Sequence, residues 1–230
     1  MSQKSLLKFN PDCRDCPRLA DFLDQTALKY PDYHARPVAP FGDCDARLLI
    51  VGLAPGMHGA NASGRPFTGD YAGILLYQTL YDYGFSNRPE SVSRDDDLRL
   101  GDCRITNAVK CLPPQNKPQL DEVKHCNHYL RAELDELQGP AVVLALGKIA
   151  HDAVLRALEL RLSTYPFGHE HVHQVSDDFC LIDSYHCSRY NTQTRRLTPA
   201  MFGNVFKRAR QVLDGKESPA ALVSPHISPR

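Results

Sequence analysis

The amino-acid sequence predicts a parallel α/β domain. Three observations support this fold class: four short apolar segments of strand length, helical patterns between them, and a composition of 42% hydrophobic and 23% charged residues over 230 residues. Such a composition is typical of one globular domain and excludes collagen, coiled-coil and fully disordered chains. Strands that alternate with helices along a chain are typical of a parallel sheet covered by helices.

The first predicted strand spans residues 46–53 (ARLLIVGL), a continuous apolar run with a glycine near its end. A strand that is apolar at successive positions is typical of one buried on both faces of a parallel sheet. Three further strands of this kind are predicted at 103–109, 141–146 and 179–183. Helices are predicted between and after the strands, at 72–83, 120–137, 148–160 and 199–213.

Functional residues are expected in the segments that leave these strands, because parallel sheets bind ligands beyond the carboxyl ends of their strands. The four segments are GLAPGMHG, NAVKCLPP, LGKIAH and DSYHCSRYN. Each combines glycines or polar side chains with a preceding buried strand, so all four are candidates for one shared site.

We expect one domain over residues 1–215 and a flexible tail over 216–230, because the tail is rich in proline and serine. The sequence contains no apolar run near the ~20 residues that a membrane-spanning helix needs and no signal-peptide core near its first residue. These observations predict a cytoplasmic monomer with no membrane partner.

Eight cysteines occur in the sequence. Disulfides are not expected in a cytoplasmic chain, because the cytosol keeps thiols reduced. Cys13 and Cys16 form a C-x-x-C pair among charged residues, and Cys111 and Cys126 form a second pair with fourteen residues between them. Thiolates bind zinc or iron–sulfur clusters, and the wide second spacing fits a cluster better than a zinc finger. Ordinary free thiols are predicted for the others: Cys44, Cys103, Cys180 and Cys187.

Six motifs together resemble a known family. They are C-x-x-C at 13–16, GLAPGMHGANASGRPFTGDYAG at 52–73, ITNAVKCLPPQNKP at 105–118, a fourth cysteine at 126, LALGKIAH at 144–151 and SYHCSRYNTQTRRLT at 184–198. In this combination the chain resembles the iron–sulfur uracil-DNA glycosylases, most closely the branch called family 5 (type b). The resemblance implies a three-layer α/β/α sandwich with a central four-stranded parallel sheet. It also implies a 4Fe-4S cluster on Cys13, Cys16, Cys111 and Cys126.

The activity that the resemblance implies is hydrolysis of the N-glycosidic bond of uracil in DNA, which initiates base excision repair. Family 5 enzymes are associated with several deaminated bases, including hypoxanthine, so we expect a similar range here. The expected partner is DNA that contains uracil or another deaminated base. Association with the nucleoid is expected while the protein is bound to that DNA.

Three side chains are predicted to hold an extruded base, which such a reaction requires. Phe67 is expected to stack on the base, as the resemblance favours. Asn107 ends a predicted strand and offers both a donor and an acceptor to the uracil edge. His186 follows the last strand and is expected to stabilise negative charge on uracil O2. The alternatives are core packing for Phe67, a turn amide for Asn107 and a structural imidazole for His186.

Asp70 is the predicted catalytic carboxylate. Many uracil-DNA glycosylases carry an acid or amide in the loop after the first strand, whereas this loop has no polar side chain over 52–56. The family 5 resemblance points to Asp70, which would orient water or stabilise the positive sugar. A helix N-cap is the alternative role. Gly52, Leu53 and Ala54 are expected to bind the base as part of its pocket.

Three alternating histidines, His169, His171 and His173, resemble metal ligands on one face of a strand. The adjacent carboxylate, Glu170, would point to the opposite face of that strand. No zinc site is therefore predicted there.

A basic segment distinguishes the last part of the chain, although the formal net charge of the whole is zero. Residues 184–213 contain six Lys or Arg and no Asp or Glu, which suits the phosphate backbone of DNA. Tyr190 stands where related glycosylases carry a wedge that fills the space of the extruded base. The residues predicted to bind DNA are Ser188, Arg189, Tyr190, Asn191, Arg195 and Arg196. A merely solvated basic face is the alternative.

Two other functions stay open on the sequence alone. A non-catalytic iron–sulfur module that binds DNA or senses uracil is favoured by the missing polar residue at Ala54. A glycosylase of the sister family 4 is disfavoured, because that family typically carries an acidic residue in the same loop.

Overall fold

The computed structural model describes residues 9–176 and 179–216. Within these ranges no helix has the length and apolar character needed to span a membrane. The predicted tail over 216–230 lies, apart from residue 216, outside the described residues.

One six-stranded sheet forms the centre of the molecule, in the order β1-β3-β2-β4-β6-β5. β3, β2, β4 and β6 are parallel neighbours, while β1 and β5 pair antiparallel at the two edges. The strands are β1 (Phe41–Gly42), β2 (Leu48–Gly52), β3 (Cys103–Asn107), β4 (Ala141–Leu146), β5 (Val172–Gln174) and β6 (Phe179–Ser184).

The four predicted strands are the four parallel ones, so the α/β class is confirmed. The predicted four-stranded parallel sheet forms the centre of the observed one, which one short antiparallel strand extends at each edge. β1 has two residues and β5 has three, which is too short for an alternating pattern to appear in the sequence. These strands form because the sheet edges offer them partners.

The helices are α1 (Pro17–Lys29), α2 (Ala60–Ser63), α3 (Tyr71–Asp82), α4 (Leu120–Asp135), α5 (Lys148–Ala157), α6 (Arg189–Gln193) and α7 (Pro199–Leu213). Four of them match the predicted helices within three residues at each end. The prediction missed α1, which begins directly after the C-x-x-C pair with Pro17 in its first turn. It also missed α2 and α6, which have four and five residues.

Helices cover both faces of the sheet, as the three-layer sandwich requires. Leu48 and Ile50 of β2 point to the face covered by α3 and α7. Leu49 and Val51 point to the opposite face, covered by α1, α4 and α5. Every residue of β2 and β4 is buried, which explains why these strands are apolar at successive positions.

The order of the strands determines where a ligand can bind. β3 and β4 follow β2 in sequence but pair on opposite sides of it. The chain therefore crosses the sheet in one direction from β2 to β3 and in the other from β3 to β4. A ligand-binding crevice forms at such a reversal, at the carboxyl ends of the strands.

Candidate active site

A cavity of about 600 Å³ lies at the carboxyl ends of the parallel strands. The cavity brings together the four side chains predicted to act on the base and the sugar, Phe67, Asp70, Asn107 and His186. Leu53 and Ala54 also line it, as predicted. Further lining residues that the sequence did not single out include Tyr71, Asn116 and Lys148.

Gly52 packs directly against two of these side chains. A Cβ atom at this position would come within 2.4 Å of Asn107 Oδ1 and 2.8 Å of Phe67 Cζ. Both distances are too short for any side chain larger than hydrogen. Gly52 therefore shapes the cavity by letting Asn107 and Phe67 approach the end of β2, rather than by offering a contact of its own.

Phe67 has a backbone conformation that is rare for an aromatic residue, with a φ of 57°. Left-handed geometry of this kind costs about 1–3 kcal/mol and persists only where the surroundings enforce it. Arg65 helps to enforce it by donating to Thr68 Oγ1 at 2.9 Å and by pairing with Asp96 at 2.7 Å. Gly73 is needed as well, because a Cβ there would lie 1.9 Å from Phe67 O.

The strained turn directs the Phe67 ring towards His186. The two ring centroids lie 6.0 Å apart with an interplanar angle of 25°. Phe67 is only 6% exposed, yet it belongs to the cavity wall. An aromatic face and an imidazole are therefore available side by side.

Asp70 stands at the N-cap position of α3, but within the described chain its side chain makes no capping hydrogen bond to that helix. Its Oδ2 instead accepts a hydrogen bond from Ala60 N at 3.1 Å. The carboxylate lies against two glycines, since a Cβ at Gly56 or Gly59 would come within 2.3 or 2.0 Å of it. Burial raises the pKa of Asp70, and the Ala60 hydrogen bond opposes part of that rise.

His186 keeps unused hydrogen-bonding capacity at the cavity. Its Nδ1 is buried and has no partner among the described residues. Burial lowers the pKa of His186 to about 4, so the imidazole is neutral at neutral pH. Its main chain is anchored by Asn191, whose Nδ2 donates to His186 O at 2.8 Å.

A second group of buried histidines lies beside β6. His151 Nδ1 forms a hydrogen bond of 2.7 Å with Asp183 Oδ1, and His173 Nε2 lies 3.2 Å from Asp183 Oδ2. Of the three alternating histidines, His173 is the one that joins this group. The sequence did not indicate the group, because its members come from three separate elements.

The four cysteines of the two predicted pairs line one narrow cavity between α1, α4 and the segment after β3. Burial and then the neighbouring thiols raise the pKa of Cys16 to about 11, and the same causes raise the pKa of Cys111. Lys110 N donates to Cys126 Sγ at 3.3 Å. The pairs are thus brought together although about a hundred residues separate them in the sequence.

Of the residues predicted to bind DNA, Ser188 and Arg189 line the first cavity, and the others follow within seven residues of Arg189. Arg189 lies over the Tyr71 ring at 4.8 Å, and Arg196 over the Tyr185 ring at 4.6 Å. Arg195 is exposed, and Tyr190 is 70% exposed.

Two of the predicted DNA contacts have internal partners. Ser188 caps α6 by accepting a hydrogen bond from Asn191 N at 3.4 Å, and it also lines the cavity. Asn191 points its amide towards His186 O. At the far end of the basic segment, Arg210 donates to Tyr83 O and packs on the Phe85 ring, so its guanidinium is used in contacts within the protein.

The α/β sandwich and its cavity are consistent with the protein family whose sequence pattern this chain matches. Residues 39–210 match the family described as the uracil DNA glycosylase superfamily, and the chain belongs to this superfamily.

Individual relatives narrow the assignment. A type-5 uracil-DNA glycosylase of Thermus thermophilus is 43% identical over 217 residues, which cover 92% of this chain and 99% of the relative. One of Pyrobaculum aerophilum is 42% identical and covers 86% and 88%. A type-4 uracil-DNA glycosylase of Thermotoga maritima is 37% identical over only 47% of this chain and 49% of the relative. The chain is therefore a member of the type-5 family, which confirms the predicted branch over family 4.

Proposed function

We propose that this protein hydrolyses the N-glycosidic bond of uracil in DNA and so initiates base excision repair. The observation that carries the proposal is the convergence of Phe67, Asp70, Asn107 and His186 on one cavity, in a chain of the type-5 family. A volume of about 600 Å³ is sufficient for an extruded nucleotide.

The base would be held by an aromatic face and an amide. Stacking on Phe67 would contribute about 1–3 kcal/mol per base. The Asn107 carboxamide would donate to one atom of the uracil edge and accept from another. Gly52 supports this arrangement, because it allows both side chains to approach the same strand end.

His186 and Asp70 would act on opposite charges. When the bond to the sugar breaks, the departing uracil carries negative charge, and a neutral imidazole N–H of His186 would stabilise it at O2. The sugar carries positive charge, and the Asp70 carboxylate would stabilise it and take a proton from the attacking water. Burial raises the pKa of Asp70, which favours proton uptake from the water.

DNA would approach across the mouth of the cavity. Arg189, Arg195 and Arg196 would bind phosphates, and the exposed Tyr190 would enter the space that the base leaves. Ser188 would contribute at the wall of the cavity, and Asn191 would act through its hydrogen bond to His186 O.

A 4Fe-4S cluster is proposed on Cys13, Cys16, Cys111 and Cys126. All four line one narrow cavity, so the two pairs can share one metal centre. Soft thiolate ligands suit an iron–sulfur cluster, and the fourteen residues between Cys111 and Cys126 fit a cluster better than a zinc finger.

The thiol chemistry supports the same cofactor. Burial and mutual proximity disfavour the thiolate form of Cys16 and Cys111, whereas bound iron would favour it. When bound, the cluster would supply a covalent connection between α1 and the segment that follows β3.

The substrate range is proposed to include other deaminated bases such as hypoxanthine. Ala54 and Leu53 make the cavity wall after β2 apolar, so their side chains require no particular hydrogen-bonding group on the base.

We also propose a single domain over 1–215, a monomer, and a cytoplasmic location with nucleoid association on DNA. Light scattering of the purified protein tests the monomer.

The central experiment is a base-release panel. The full-length protein is incubated with oligonucleotides that contain uracil or hypoxanthine, and alkali-labile abasic sites and free bases are measured. We expect release of uracil, with hypoxanthine released as well. Tight binding to the uracil oligonucleotide without release would instead support the non-catalytic sensing module.

A further inference from the structure

Lys110 is a buried cation. In the sequence it lies between Asn107, the proposed base-binding amide, and Cys111, one of the four grouped cysteines. It is 1% exposed, although lysine is almost never fully buried unless it is paired. Its Nζ donates to Asn107 O at 3.0 Å, to Glu133 Oε1 at 2.8 Å and to Thr106 Oγ1. Two of these three acceptors belong to the last two residues of β3.

The main chain of Lys110 is fixed as firmly as its side chain. Its N–H donates to Cys126 Sγ at 3.3 Å, and its carbonyl accepts from Val38 N at 2.7 Å. The side chain therefore turns back from the cysteine group to the end of β3. Asn107 and Cys111, which lie on either side, are connected through this one residue and the short segment around it.

The ion pair with Glu133 does not by itself explain the burial of Lys110. Desolvation of two charges costs several kcal/mol per ion, and apolar pairs of similar size are often as stable or more stable. Glu133 Oε2 moreover has no partner within the described part of the chain, so the pair is incompletely satisfied. Stability is thus a weak reason for this arrangement, whereas the bonds from Lys110 to Thr106 and Asn107 hold the end of β3 directly.

We infer that Lys110 is a positioning residue for Asn107: its ammonium holds the Thr106 hydroxyl and the Asn107 carbonyl so that the Asn107 carboxamide faces the base. The inference rests on the proposed function. Misplacement of a binding group by about 1 Å is sufficient to lower a rate about 100-fold, so a fixed carbonyl at Asn107 has a direct consequence for excision.

The decisive variant is the double substitution K110M/E133M, because it removes both charges and leaves no buried ion unpaired. K110M alone leaves the Glu133 carboxylate without its cation and is expected to unfold at lower temperature. The double variant is expected to regain thermal stability. Its kcat/KM for uracil release is nevertheless expected to stay about 10- to 100-fold below that of the parent.

A cycle with Asn107 distinguishes positioning from a general structural role. In the N107A background, K110M/E133M is expected to change excision by less than about twofold, because the amide that Lys110 positions is already absent. Absorbance near 400 nm is measured in every variant, and rates are compared per protein carrying the cluster. E133Q is the matched control, since it leaves the Lys110 bonds to Asn107 O and Thr106 in place and is expected to excise at close to the parent rate.

Three results would overturn the inference. These are parent-like excision by K110M/E133M, losses that multiply in full with N107A, and a loss accounted for entirely by missing cluster absorbance. If K110M/E133M does not fold, T106V is tested beside the E133Q control, because T106V removes one of the bonds that Lys110 makes at the end of β3. Equal excision by the parent and T106V would overturn the inference. A parent that releases no uracil would refute the proposed function instead, and affinity for the uracil oligonucleotide would then be compared across the same variants.

Discussion

Two histidine sites lie near the carboxyl end of β6, one buried at His151 and one half-buried at His186, and their ring nitrogens differ in hydrogen bonding. His151 has partners on both ring nitrogens, Asp183 Oδ1 at 2.7 Å and Tyr165 O at 2.8 Å. His186 lines the cavity, and its Nδ1 lacks a partner among the residues described. The sequence presents both simply as histidines near strand ends.

From this difference we infer a structural role for the His151 group and a functional role for His186. A buried polar atom without a partner costs about 1–3 kcal/mol, so such atoms are rare unless a ligand satisfies them. His151, Asp183 and His173 use their capacity on one another and on the backbone, which stabilises the end of β6. His186 follows three residues after Asp183 and keeps capacity for a ligand.

Asp70 provides the strongest test, because it is the carboxylate in the same cavity as His186. Asp70→Asn keeps the shape and removes the charge, and we expect single-turnover excision of uracil to fall about 100- to 10,000-fold. Asp82→Asn, at the other end of α3, is the matched control and should excise like the parent. Parent-like excision by D70N would mean that the backbone alone positions the water.

Substituting the two histidines tests the comparison directly. His186→Asn is expected to lower excision about 100-fold with little change in the unfolding temperature, because the shorter amide cannot place a donor where the imidazole N–H would meet the leaving base. His151→Asn is expected to lower the stability by about 1–3 kcal/mol, because it breaks buried hydrogen bonds. Excision by the folded H151N protein should remain near that of the parent. Urea unfolding and single-turnover assays on both variants provide the measurement, and the reverse pattern would refute the distinction.

The DNA-binding surface should give a smaller effect. Arg195 and Arg196 carry exposed charges, and replacing both with Ala is expected to reduce the slope of log affinity against log salt by about 2. The double substitution K207A/R208A on α7 is the control and should leave the slope nearer to that of the parent. Equal slopes for the parent and R195A/R196A would remove these side chains from the interface.

The smallest expected effect is on the pH dependence of excision, which should change little around neutral pH. His186 has a pKa of about 4 in the folded protein, below its ordinary 6.5. Excision should therefore show no inflection near pH 6.5, where an ordinary histidine titrates. It should decline on the acid side as Asp70, with its raised pKa, takes up a proton. An inflection near 6.5 that H186N abolishes would contradict the lowered pKa of His186.

The same shift predicts a change in stability. Between pH 6.5 and 4 the unfolded chain protonates this histidine while the folded protein does not, so the unfolding free energy decreases as the pH falls through that range. H186N lacks the titrating group and should lose less stability than the parent between pH 7 and 5. Equal losses in the two proteins would count against the shift.

The sequence by itself determined the elements that depend on local pattern. The four parallel strands and the helices α3, α4, α5 and α7 follow from apolar runs and helical periodicity, which are properties of neighbouring residues. The motifs after the strands also pointed to Phe67, Asp70, Asn107 and His186 as the candidates for one site.

Only the tertiary structure decided how those residues are used. It turns the Asp70 carboxylate away from its own helix and against Gly56 and Gly59, and it directs the Asn191 amide to His186 O. It likewise pairs Lys110 with Glu133 and adds the edge strands β1 and β5. Each of these contacts depends on how the elements pack and on where the side chains point in the folded chain. The pattern of neighbouring residues in the sequence carries no information about either.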